Sequence, residues 1–587
     1  MESTDLRQEI AAVRNEVGLW IRSDYTFIRF TGPDAASWLQ SQTTNDVEAL
    51  KSGEGHANAL LDRQGRLQAH FTLHRWEDEY WALIEAAQAS DFIEHLEAHR
   101  FIEDVQVEDT GGELEQIVVQ GPKALPYLSA RIDPDTSTPI ERFPHAMHAC
   151  QPIDLFGTEV LAFRASLTGE DGYVFIVEKS EGVTLYENLL SDTRGFTALP
   201  VSVEAREVLR VEAGLPIFGK DMDASNPIPE TPLDPLCVSM DKGCYLGQEV
   251  VARLHAYGSV RRALMGIVFG PETTEAPPFD SGIRMDGRRI GTIKSAVFSP
   301  TLNAYIAMAY LDRDHRVPNE TLQFGIENSD VQWSGRVARL PFVARPTREE
   351  RARSLYDDAL TRFEKDLQDE DTSAIPLLQE AILLDPAFED AYEVLGVILN
   401  RHHRVDEAIY YMQRLGEMNP DCLMAHTNLS VFYLAKGMIE EAETEKAKAA
   451  VLQIQKASDE HQAQKLAEED RARIQREALE RIEMFQEVLE IDPDDAIATF
   501  GLGKAYIQLN QHKEALPHLR HACEIKKDYS AAFLDLGKCL EFLERGDEAT
   551  DIYKEGIVTA SRKGDLMPMR EMERRLNALD TRESRTT

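Results

Sequence analysis

The chain has 587 residues, of which 43% are hydrophobic and 28% charged, and its formal net charge is −39. That length exceeds what one hydrophobic core serves and predicts about three to four domains. The acidic residues are spread along the whole length, which argues against nucleic-acid binding as the main business, because neutralising phosphates needs clustered Lys and Arg; a local basic pocket for a small anion stays compatible.

In chain order, the opening Met1-Glu2-Ser3-Thr4-Asp5 lacks a basic region followed by an apolar stretch, so no secretory signal is expected. No apolar run approaches the roughly 20 residues of a membrane helix, and no membrane association is expected. Residues 1–345 mix strand-like and helix-like segments. Strands are predicted at 25–30, 116–120, 173–177 and 263–269, separated by turns rich in Gly, Pro and Asp. This is an α+β pattern with much antiparallel strand. The six cysteines Cys150, Cys237, Cys244, Cys422, Cys523 and Cys539 show no Cys-x-x-Cys spacing. Neither a disulfide scaffold, nor a structural zinc site, nor any other metal site is predicted, and a reducing cytoplasm fits best.

After Arg345-Pro346-Thr347-Arg348 the texture becomes helical and repeats itself. Pro386 and Pro420 stand 34 residues apart, as do Leu395 and Leu429, and Ala408 and Ala442. Leu502-Gly503 recurs at the same interval as Leu536-Gly537, and Ala515 as Ala549. The pattern resembles tetratricopeptide repeats, in which small residues let paired helices approach and each pair buries its apolar face on the next. Residues 441–490, rich in Lys, Glu, Ala, Gln and Arg, read as one long charged helix within the array. Such arrays bind a peptide or helix of a protein partner.

The first candidate for chemistry is Lys242-Gly243-Cys244-Tyr245-Leu246-Gly247-Gln248-Glu249. Its glycines open the backbone, and Lys242 with the amide of Gly243 would favour a thiolate at Cys244. Covalent work also needs a base, and His255 is near in sequence. A single cysteine cannot hold an iron–sulfur cluster, which normally needs several thiolates. The alternative is a buried structural cysteine.

Other segments are read with this one. Thr31-Gly32-Pro33-Asp34-Ala35 precedes Gln42-Thr43-Thr44-Asn45-Asp46-Val47 and Leu61-Asp62-Arg63-Gln64-Gly65-Arg66. Thr168-Gly169-Glu170-Asp171-Gly172-Tyr173 and Leu209-Arg210-Val211-Glu212-Ala213-Gly214 follow, and Ala252-Arg253-Leu254-His255 comes after the cysteine motif. Gly291-Thr292-Ile293-Lys294-Ser295-Ala296 then leads to Ser299-Pro300. In this order and spacing they resemble the YgfZ-type folate-binding proteins, relatives of the glycine-cleavage T-protein, an aminomethyltransferase. The resemblance covers residues 15–345.

It implies T-protein-like folate-binding subdomains over 1–259 around a central channel, a small β-barrel over 260–345, and the tetratricopeptide-repeat solenoid over 346–587. It also implies tetrahydrofolate or a derivative in the channel. Glu212 would accept hydrogen bonds from the pterin, since a carboxylate aligned with a donor pair gives charge-assisted bonds; otherwise it is a helix-surface carboxylate near Arg210. Tyr173 would line the pocket or pack in the core. Gln248 and Arg253 would contact the cofactor, and Arg253, Arg261 and Arg262 would meet the carboxylates of the folate tail or form a solvated basic face. Cys244 and Lys242 would be the reactive pair.

One departure separates the relatives. The aminomethyltransferases carry a Gly-Gly-x-x-Asp-Asp stretch where this chain reads Gly65-Arg66-Leu67-Gln68-Ala69-His70, losing the acids to Ala69 and His70. The leading expectation is therefore a tetrahydrofolate-binding accessory factor in iron–sulfur protein assembly or repair, linked indirectly to tRNA thio-modification. Its repeats would recruit an iron–sulfur enzyme or assembly factor. The alternatives are a folate-dependent aminomethyl or one-carbon transferase and a folate-binding scaffold without catalysis.

Overall fold

The computed structural model describes residues 5–132, 143–192, 194–257, 260–326, 332–365, 371–563 and 565–586. It divides into two compact units, Met1–Ala442 and Glu443–Thr587.

The first unit holds two sheets and a barrel. In the five-stranded antiparallel sheet the order is Gly55–Leu61, Leu67–Trp76, Glu79–Glu85, Tyr25–Thr31, Gln106–Asp109. The six-stranded sheet runs Ala198–Pro200, Val17–Arg22, Leu114–Gln120, Gly172–Glu178, Thr158–Arg164, Cys150–Leu155; its first pair is parallel and the others antiparallel. The strands Arg262–Phe269, Ala304–Asp312, Arg288–Ser299, Gly282–Met285, Thr321–Ile326 and Gln332–Ala338 close into a barrel. Closure leaves no unpaired edge in this small module.

Strand character follows burial. Leu67–Trp76 alternates: Leu67, Ala69, Phe71 and Leu73 are buried, while Gln68, His70 and Thr72 are half-buried on the other face. Within Gly172–Glu178, Tyr173 to Val177 read as an unbroken apolar run because both faces are covered there. Tyr173, Phe175 and Val177 join one apolar cluster and Val174 and Ile176 another.

The first of these clusters continues into the helices beyond residue 345. Leu125, Leu128, Leu185 and Leu189, beside the six-stranded sheet, share it with Ala352 and Ala359 of the helix Arg348–Lys365 and with Leu378 and Ile382 of Ala374–Leu384. Strands thus give way to helices after Ala338, while the packing of the first unit runs on to Ala442.

The repeat glycines sit where helices touch. A Cβ on Gly396 would lie 2.6 Å from Met412, one on Gly503 2.8 Å from Leu519, and one on Gly537 2.2 Å from the Tyr553 ring. Each contact joins the two helices of a pair: Glu389–Arg401 with Val405–Met418, Ala496–Gln508 with His512–Ile525, and Ser530–Phe542 with Gly546–Lys563. The charged segment forms one 53-residue helix, Ile439–Ile491. No helix among the described residues is long and apolar enough to cross a membrane.

Candidate functional site

The cysteine motif links the short helix Asp234–Cys237 to the helix Gln248–Tyr257. Two of its side chains point inward. Lys242 is 7% exposed, and its Nζ donates to the carbonyl oxygens of Gln40 (2.7 Å), Thr43 (2.6 Å) and Asn45 (2.8 Å). Tyr245 packs with Leu61, Leu67 and Val251. Gly247 has φ of 87°, and a Cβ there would lie 2.5 Å from the Asp62 carbonyl oxygen, so glycine is required. With the loop held on both sides, Gly243 and Cys244 stand exposed between the anchors, and Cys244 is not the buried structural cysteine of the alternative reading.

An ammonium has three protons, and those of Lys242 have three carbonyl acceptors. Burial nevertheless pulls its pKa down to about 8. The geometry makes Lys242 the fastening of the loop. His255 pairs with Asp234 at 3.1 Å. Gln248 opens its helix half-buried, and Arg253 is exposed on the same helix.

Glu212 ends the helix Val203–Glu212 and is wholly buried, so it is not a surface carboxylate. Arg14 Nη2 donates to its Oε2 (2.7 Å) and Ser299 Oγ to its Oε1 (2.6 Å). Arg14 also pairs with Glu170 at 3.0 Å, and Arg345 reaches the same Glu170 oxygen at 2.5 Å. Arg210 turns instead to Glu207 and Asp221. Tyr173 is fully buried; its hydroxyl accepts from Arg348 (2.7 Å), and burial raises its pKa to about 12. Cys244 is thus exposed, whereas Glu212 and Tyr173 are buried, each against an arginine of its own.

Strand alternation refines the reading of the missing acids. Ala69 is 2% exposed and packs with Phe71 and Leu73 in the core, a place unsuited to an unpaired carboxylate. Gln68 and His70 share the opposite face, so Gln68, which the motif comparison passed over, belongs with His70. Burial holds His70 neutral, with a pKa of about 4. His148 and the buried His74 lie nearby, at about 4 and about 3; His74 Nδ1 bonds the His148 carbonyl oxygen at 2.9 Å.

A cavity of about 570 Å³ opens between the barrel and the 225–230 segment. Arg66, Arg261, Arg262 and Arg289 line it, together with Glu230 and Asp312. Arg262 donates to Glu230 (2.7 Å), and Arg289 Nη2 donates to the Thr292 hydroxyl (3.0 Å). The cavity thus gathers Arg261 and Arg262 with two arginines that spacing did not single out, while Arg253 is not among its lining residues.

Comparison with known proteins follows this division. Residues 2–242 match the GCVT N-terminal domain, residues 262–343 the glycine cleavage T-protein C-terminal barrel domain, and residues 482–531 a tetratricopeptide repeat. An aminomethyltransferase of Listeria innocua is 28% identical over 343 residues, 58% of this chain and 90% of that protein. One of Thermoanaerobacter pseudethanolicus is 27% identical over 328 residues, 55% of this chain and 86% of its own. The crystal structure of glycine cleavage system aminomethyltransferase T from Bartonella henselae superposes with a TM-score of 0.50 at 23% identity, over 58% of this chain and 90% of that one, a likeness of fold. The chain thus carries a GCVT N-terminal domain and a glycine cleavage T-protein C-terminal barrel domain in a T-protein-like fold, followed by a helical region with a tetratricopeptide repeat.

Proposed function

We propose that this protein is a tetrahydrofolate-binding accessory factor in the assembly or repair of iron–sulfur proteins, with Cys244 as its reactive thiol and the helical repeats as the surface that recruits a client. The observation that carries the reading is the loop itself: a thiol held out to solvent between two buried anchors, Lys242 and Tyr245. A thiol so presented can meet a macromolecular client, which a thiol inside a closed pocket cannot. The T-protein domains support a folate-type ligand. Glu212 accepts one hydrogen bond on each carboxylate oxygen and keeps a lone pair on each for a pterin donor, which has to enter a site now closed from solvent.

The named relatives are aminomethyltransferases. Against that activity here stands the Gln68–His70 face, which offers an amide and a neutral imidazole where a carboxylate would have to activate the folate. Two measurements test the proposal. Calorimetric titration with tetrahydrofolate should give saturable heat. Complementation of a host deficient in iron–sulfur enzyme activity should succeed with the wild-type chain and fail with Cys244→Ala. Equal rescue by the variant removes the thiol from the mechanism, and absence of heat removes the folate.

A further inference from the structure

We propose that the cleft between the barrel and the 225–230 segment binds a small dianion, a molecule carrying carboxylate or phosphate oxygens. The inference stands whether or not the protein takes a folate. Its first support is charge. Four guanidinium groups face two carboxylates in the cavity wall, leaving a surplus of two positive charges in a chain whose formal net charge is −39. Such a local reversal of sign attracts an anion that the rest of the surface repels.

The second support is that part of this charge is unanswered. Glu230 holds Arg262 and Thr292 holds Arg289, but Arg66 and Arg261 are exposed and have no side-chain ion pair among the described residues. The guanidinium fork matches a carboxylate or phosphate edge with two parallel hydrogen bonds. The third is independent of charge. Tyr310 lines the same wall at 1% exposure, and its buried hydroxyl has no hydrogen-bond partner among the described residues. A buried hydroxyl without a partner is unfavourable until something arrives to complete it. A ligand oxygen would do so, with Thr292 and Ser225 adding further hydroxyls to the lining. The volume of about 570 Å³ suits a small molecule.

The test is calorimetric titration of the full chain at low ionic strength, with inorganic phosphate in one arm and glutarate in the other. At least one arm should saturate, and the arm that does identifies the oxyanion. The double variant Arg66→Ala/Arg261→Ala should weaken that binding by roughly tenfold or more. Tyr310→Phe should weaken it by a smaller factor with an unchanged circular dichroism spectrum. Silence in both arms, or binding that the double variant leaves intact, overturns the proposal.

Discussion

The ammonium of Lys242 lies 2.6 Å from the carbonyl oxygen of Thr43, a residue 199 positions earlier in the chain, and through that contact the cysteine loop is tied to the turn after the helix Ala35–Gln42. Lys242 thus fastens the loop on the side that precedes the thiol, as Tyr245 does on the side that follows it.

Lys242→Met removes three charge-assisted hydrogen bonds and leaves the carbonyls of Gln40, Thr43 and Asn45 facing an apolar chain. A loss of about 2–4 kcal/mol in folding stability is expected. Urea denaturation followed by fluorescence measures it, and a variant as stable as wild type would show the three bonds to be dispensable.

Thiol chemistry should be selective. All six cysteines are free, and Cys244 alone is exposed. Burial raises the thiols of Cys150, Cys237 and Cys523 to about 12, which keeps them protonated and slow. With a disulfide reagent on the native protein, one equivalent should react in the fast phase and be missing from Cys244→Ser. The half-buried Cys422 should follow more slowly, and the four buried thiols only in denaturant. A fast phase that survives in Cys244→Ser would assign it elsewhere.

The histidines set an acid limit. His70 and His148 are lowered to about 4 and His74 to about 3, from an ordinary 6.5, chiefly by burial. As pH falls below about 6.5 the unfolded chain takes up protons that the folded chain refuses, so stability is lost from there down to about 4, and for His74 to about 3. The urea midpoint should therefore drop between pH 7.5 and pH 5. His74→Gln should flatten that slope; an unchanged slope would show that His74 does not contribute.

The Arg14–Glu212 pair is closed from water on both sides. Removing one partner strands the other charge, and Arg14→Met is expected to cost about 3–5 kcal/mol. Removing both should cost less than the sum of the single losses, which a double-mutant cycle reads directly. Additive losses would mean that the two residues act independently.

Much of the fold could be read from the sequence, for local reasons. The segments 25–30, 116–120, 173–177 and 263–269 lie within Tyr25–Thr31, Leu114–Gln120, Gly172–Glu178 and Arg262–Phe269. Their apolar side chains and flanking turns announce strands without any tertiary information. The 34-residue interval was legible because Gly503 and Gly537 each accept a bulky neighbour that a Cβ would strike. The surroundings of the candidate residues were not legible. Arg14 reaches Glu212 across 198 positions, and the acceptors of Lys242 are backbone carbonyls, which every residue carries and no motif advertises. The hydroxyl of Tyr310, unpartnered among the described residues, likewise follows from barrel packing and not from its neighbours in sequence.

The apolar cluster that passes from the six-stranded sheet into the helices Arg348–Lys365 and Ala374–Leu384 bears on how such a chain is assembled by gene fusion. A cut at residue 345, where strands give way to helices, would leave Leu125, Leu128, Leu185 and Leu189 without the side chains that cover them. A cut near Ala442 would follow the boundary between the compact units, although it falls in the first turn of the helix Ile439–Ile491. The earliest helical pairs are thus inseparable from the sheet they cover, and exchange of one repeat array for another is open to the chain only beyond them.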